Sequence, residues 1–177
     1  MENNSSLGSK KDPASEGEPW CSLLNSAAPS DHIVQLYQDQ QFLNRAVCRF
    51  AAAAIANGEG VILVPTVAHW DAFRPRLESE GVDVKAAENR GQLTVVDADN
   101  LLPTFMRDGM PDSPVFLGLA QSVVSQARGD GRYPKVRWWG EMVNILWSEA
   151  RSPLVCSSKI NSTSLLMSKI LRSSAPS

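Results

Sequence analysis

The sequence predicts an α/β fold, a mostly parallel sheet flanked by helices. Three observations carry that prediction. Short runs of β-favouring residues near 33–37, 60–64, 92–97 and 135–139 alternate with stretches of helical periodicity. The run Gly60-Val61-Ile62-Leu63-Val64 is apolar without alternation, as suits a central strand covered on both faces. Breaks at Asn57-Gly58, Gly81, Asp108-Gly109 and Gly129-Asp130-Gly131 fall between these stretches.

Residues 1–30 are rich in Ser, Gly, Pro, Asn and Glu without periodicity, and read as a disordered arm. Trp20 and Leu23-Leu24 are the candidates for docking within it. Order begins at His32, and Ile33 to Tyr37 reads as a first strand. Asp39 is placed to cap the next helix, where Leu43, Val47, Phe50 and Ala54 form a core-facing stripe. After the strand at 60–64, a helical stretch covers about 67–80, with Trp70, Phe73 and Leu77 on one face. Pro75 interrupts it, and the missing N–H predicts a kink or a split.

Gln92 to Asp97 is the third strand, followed by a short helix over 101–107 that stops at Asp108-Gly109. Ser113 as cap and Pro114 in the first turn start a longer helix. Its buried face is read as Val115, Leu119, Val123 and Ala127. Lys135 to Trp139 is the fourth strand, and a helix runs from Glu141 to Glu149. The end changes character: nine of the 26 residues from 152 to 177 are Ser, with no Asp or Glu. The organisation is therefore an arm over 1–30, a domain over 31–150 and an atypical Ser-rich tail over 151–177.

With 177 residues, 43% hydrophobic and 20% charged, the chain suits one domain with a real core. A net charge of −2 and scattered basic residues give no footprint for nucleic acid or anionic lipid. Cys21, Cys48 and Cys156 lie far apart without a CxxC pair, which fits a reducing, cytoplasmic setting. The polar N-terminus has no signal-peptide core, and the longest purely apolar run, 50–56, is too short to span a bilayer.

An α/β chain invites a test for nucleotide chemistry. The loop Val64-Pro65-Thr66-Val67-Ala68-His69-Trp70 lacks the glycines and the Lys-Ser/Thr pair of a phosphate cradle, and no GxGxxG follows any strand. Neither ATP hydrolysis nor dinucleotide binding is expected. His32 and His69 are the two histidines, without HxH, HxxxH or HExxH spacing, and no GxSxG is present. No metal or cofactor is expected. Each histidine reads as a hydrogen-bonded structural residue or a ligand contact, and His69 sits where an α/β fold opens its crevice.

Asp97-Ala98-Asp99 could bind Mg²⁺ or act as acid and base, but Asp99 reads more simply as a helix cap. Arg137-Trp138-Trp139-Gly140-Glu141-Met142 concentrates charge and aromatic surface at a strand–helix junction. Arg137 and Glu141 either pair with each other or face a ligand. Trp138 and Trp139 point to opposite faces of their strand.

Several segments together resemble one family. They are His32 with Tyr37, Asn57-Gly58-Glu59 before an apolar strand, Pro65 to His69, Gly91-Gln92-Leu93, Phe105 with Asp108-Gly109, and Arg137 to Met142. Their order and spacing over about 31–149 resemble the MEDS domain, the DcmR-type sensory domain of methanogens and methylotrophs. The resemblance implies a RecA-like fold with a degenerate nucleotide site. It also implies a cytoplasmic prokaryotic sensor of small hydrocarbon derivatives, working with a kinase or anti-sigma-type signalling module. Family members continue with a further helix and a terminal strand where this chain has its Ser-rich tail.

The function expected is non-catalytic sensing of a small organic ligand. The candidate ligand-binding residues are Thr66, His69, Trp70, Asp97, Arg137 and Glu141. Alternatives are a protein-interaction scaffold without ligand, a truncated non-functional relative, and an enzyme using Glu141 with His69 as an acid–base pair.

Overall fold

The computed structural model describes residues 39–142 and Ile145. The expected arm, the strand at 33–37, most of the helix after Glu141 and the Ser-rich tail lie outside the described residues. Five helices are numbered here: α1 Gln40–Ala56, α2 Val67–Ser79, α3 Val84–Asn89, α4 Ala98–Phe105 and α5 Ser113–Arg128. The strands are β1 Gly60–Val64, β2 Leu93–Val95, β3 Met106–Arg107, β4 Met110–Pro111 and β5 Val136–Gly140.

β1 is the centre of a three-stranded parallel sheet in the order β2-β1-β5. All five of its residues are buried, which accounts for its unbroken apolar sequence. Side-chain alternation divides the core in two. Ile62 and Val64 pack with α4, α5, Val136 and Met142, while Val61 and Leu63 pack with α1, α2 and α3. The sheet is thus covered by helices on both faces, as the sequence predicts. Trp138 joins the first cluster and Trp139 the second, in line with their expected opposite facing.

The helices begin where side chains can satisfy free backbone N–H groups. Asp39 caps α1 as expected, accepting from the Gln41 N–H at 2.9 Å. Two other caps differ from expectation. Asp97, not Asp99, caps α4, and Asp112, not Ser113, caps α5. In both, the chain carries neighbouring cap-type residues, and the backbone path selects the earlier one. β2 is shorter than read, because its chain turns into this Asp97 cap.

α2 runs unbroken from Val67 to Ser79 with Pro75 inside it, so the helix is not split. The carbonyl that loses its donor is that of Asp71, an exposed residue, where water can take the bond. The helix read over 101–107 instead ends at Phe105. Met106-Arg107 and Met110-Pro111 pair antiparallel across an Asp108-Gly109 turn. Both turn residues have positive φ, 48° and 77°, which is what a two-residue hairpin favours. The buried face of α5 is also displaced by one residue: Phe116, Ala120 and Val124 are buried, and Val115, Leu119 and Val123 flank them. Ala127 lies in the core as read.

Cys48 is fully buried in α1, and burial pushes its thiol up to about 12, with Glu80 adding and Arg76 opposing. It stays protonated and behaves as a small apolar residue. At the other end of β1, Gly60 is closely approached by backbone. A Cβ there would lie 2.7 Å from the Ala127 carbonyl oxygen and 3.2 Å from a Val136 methyl. Gly60→Ala should therefore destabilise the protein by about 1–3 kcal/mol in urea melts. Gly118→Ala, which meets nothing within 4 Å, serves as the control.

Candidate functional site

β1 and β5 end side by side, with Val64 paired to Gly140. Beyond them the chain turns into α2 through Pro65-Thr66, and into the helical start at Met142 through Glu141. The Glu141 N–H donates to the Val64 carbonyl at 3.2 Å, so the parallel ladder continues one step past the strand. That step turns the Glu141 side chain toward the start of α2.

Glu141 is only 4% exposed, and a buried carboxylate needs partners. One oxygen accepts from the Thr66 backbone N–H. The other lies 2.5 Å from His69 Nδ1. The carboxylate thereby sits at the N-terminal end of α2, where unpaired N–H groups and the helix dipole favour negative charge. Thr66 caps the same helix, its hydroxyl accepting from the His69 N–H at 3.4 Å.

His69 Nε2 lies 2.8 Å from the side-chain oxygen of Gln40, the first residue of α1. In the imidazolium form both ring nitrogens donate, to Glu141 and to Gln40. In the neutral form Gln40 turns its amide over and donates instead. The ring also stacks on Phe73 at 5.7 Å, nearly parallel, and Phe73 meets Trp139 edge-on at 5.4 Å. A continuous path therefore runs from Gln40 through His69 to Glu141 on one side and to Trp139 on the other.

Of the six candidate residues, three meet in this network: Thr66, His69 and Glu141. Trp70 follows His69 and is half-buried against the core on the α1 side. Asp97 lies at the neighbouring end of β2, where its carboxylate accepts from the Asp99 N–H and from Asn100 Nδ2. The residue is thus a helix cap.

Arg137 stands apart. It is the second residue of β5, paired with Val61, so four residues of extended chain separate it from Glu141, about 13 Å. The suggested pairing of Arg137 with Glu141 is therefore not formed. Arg137 Nε instead meets Glu59 at 2.5 Å, and its guanidinium lies 5.5 Å from the centre of the Phe50 ring.

Gln40 and Glu59 were not among the candidate site residues, although Glu59 belongs to the Asn57-Gly58-Glu59 segment of the resemblance. Glu59 carried one signal, a lone charge directly ahead of an apolar strand. Gln40 carried none beyond its place after a helix cap.

What fold and site define is an α/β domain whose strand ends close over a buried carboxylate–histidine pair, with a glycine-free turn from β1 into α2. The chain belongs to the MEDS family: the model for the MEthanogen/methylotroph, DcmR Sensory domain matches residues 31–158. This reaches beyond 149, into the start of the Ser-rich end. The family is named for a sensory role, which suggests a part in signalling. Searches of curated proteins and of solved structures gave no significant match.

The Arg137–Glu59 pair is 10% and 14% exposed, so removing one partner strands a largely buried charge. Arg137→Met should cost toward the lower end of the about 3–5 kcal/mol seen for broken buried pairs. Adding Glu59→Leu should recover most of that loss in denaturant melts.

Proposed function

We propose that the chain is a non-catalytic sensing domain that binds a small organic molecule, a hydrocarbon derivative, at the carboxyl ends of its strands. The observation that carries this reading is the convergence of Thr66, His69 and Glu141 at that end, in a chain of a family named for sensing. In open α/β sheets, ligands characteristically bind beyond the carboxyl ends of strands. Trp70 adds apolar surface and Asp97 borders the site. Arg137 belongs to the opposite end and is left out of it.

The signalling step follows from connectivity. Glu141 is the last residue before the helical start at Met142, and its carboxylate ties that junction to α2 and, through His69, to α1. A ligand that binds better when this tie is rearranged shifts the population of the junction, which a partner can read. The partner class fitting the family is a kinase or anti-sigma-type module in a prokaryotic cytoplasm. Neither nucleic acid nor membrane is assigned a role, and no cofactor is needed. A RecA-like ancestry with a degenerate nucleotide site agrees with the parallel sheet and the glycine-free turn.

An acid–base enzyme is the second reading, favoured by the 2.5 Å approach of His69 to Glu141. Against it, both carboxylate oxygens and both ring nitrogens are already engaged. A free base aimed at a substrate is not left over.

A metabolite screen by calorimetry and Trp fluorescence on the full chain should find saturable binding. His69→Ala should weaken it by roughly tenfold, the equivalent of one lost polar contact. Well-folded protein that binds nothing across a broad screen removes the sensing reading.

A further inference from the structure

The face of β5 opposite His69 carries a polar atom that the network above does not use. Val136, Trp138 and Gly140 alternate toward α4 and α5, and Trp138 packs in the apolar cluster with Ile62, Val64, Val96, Leu101 and Met142. Trp138 Nε1 is shielded from solvent and has no hydrogen-bond partner among the described residues. Asn44 and Arg128 each hold an unpaired buried atom among the described residues too. An amide or guanidinium has further polar atoms to satisfy, however, whereas an indole has a single donor. In Trp138 that one donor is unmet among the described residues, and a buried indole N–H ordinarily finds an acceptor.

Its position is informative. A Cβ built on Gly140 would lie 3.3 Å from Trp138 Nε1, 3.3 Å from Val64 Cβ and 3.8 Å from Met142 Cε. The unpaired N–H therefore sits over the glycine that ends β5, one residue before Glu141. A side chain at 140 would crowd the indole. The surroundings are apolar, so an ionised group placed there would lose its hydration without compensation, while a neutral dipole would lose far less.

We propose that the Trp138 indole N–H is a ligand contact, donating to the one acceptor atom of a small neutral molecule. The hydrocarbon part of that molecule lies against Val64, Met142 and the cluster between β5 and α4. This rests on the sensing reading and deepens it. It extends the ligand from the Thr66–His69–Glu141 end, past Gly140, onto the α4–α5 face of the sheet.

The test is nitrogen–proton NMR of the five tryptophan indole signals of the full chain, with Trp138→Phe identifying its own. The probes are a panel of small ketones, ethers and alcohols, each paired with its matched alkane. The expected result is a saturable downfield shift of the Trp138 signal with an acceptor-bearing probe and not with its alkane. Trp138→Phe, which keeps a ring in place, should bind that probe roughly tenfold more weakly. Saturable binding that leaves the Trp138 signal unmoved and shifts groups around His69 overturns this assignment and leaves sensing intact. A panel in which no member binds, with the fold confirmed by the same spectra, overturns this assignment; sensing itself is then judged by the broader metabolite screen.

Discussion

The carboxyl end of the sheet depends on one buried carboxylate. Glu141 accepts from the Thr66 backbone and meets His69, and so fixes the end of β5 to the start of α2. Through Gln40 the same histidine reaches the start of α1. Three elements that share no local sequence are thereby held in register at the mouth of the sheet. A carboxylate removed from water is stable only while such partners remain, so the arrangement is all-or-none in character. A half-broken tie is costlier than either a closed or a fully solvated one.

A second charged pair works at the other end of β5. Arg137 and Glu59 clamp the strand's amino end against the entry to β1, with Phe50 beneath the guanidinium. Gln92 reinforces that end, donating from its buried amide to the carbonyls of Ile55 and Glu59. The two clamps divide the labour. The Arg137 end ties β5 to the entry of β1, and the Glu141 end ties it to the starts of α2 and α1.

The layered fold was legible because burial writes itself plainly into composition. A strand covered on both faces must be apolar throughout, and β1 is. What failed were choices among near-equals. In α5 the stripes 115/119/123 and 116/120/124 are adjacent and both apolar. The sheet selects the second, burying Phe116, Ala120 and Val124. At the caps, consecutive Asp and Ser residues offer equivalent hydrogen-bond acceptors, and local sequence cannot rank them. For the site, the pairing of His69 with Glu141 was foreseeable as a possibility across 72 residues, from their places at two strand ends. Arg137 was misplaced for a simple reason: four residues of strand carry a side chain far, while four residues of helix would have kept it near.

The account stands most directly on the coupling between Glu141 and His69, and a double-mutant cycle measures it. Glu141→Gln, His69→Asn and the double variant would be compared with the parent chain in urea unfolding at neutral pH. A buried, partnered contact predicts a coupling free energy of at least about 1 kcal/mol, within the roughly 0.5–3 kcal/mol found for interacting pairs. A coupling near zero, with both single variants folded, would contradict the claim that this carboxylate holds the mouth of the sheet together.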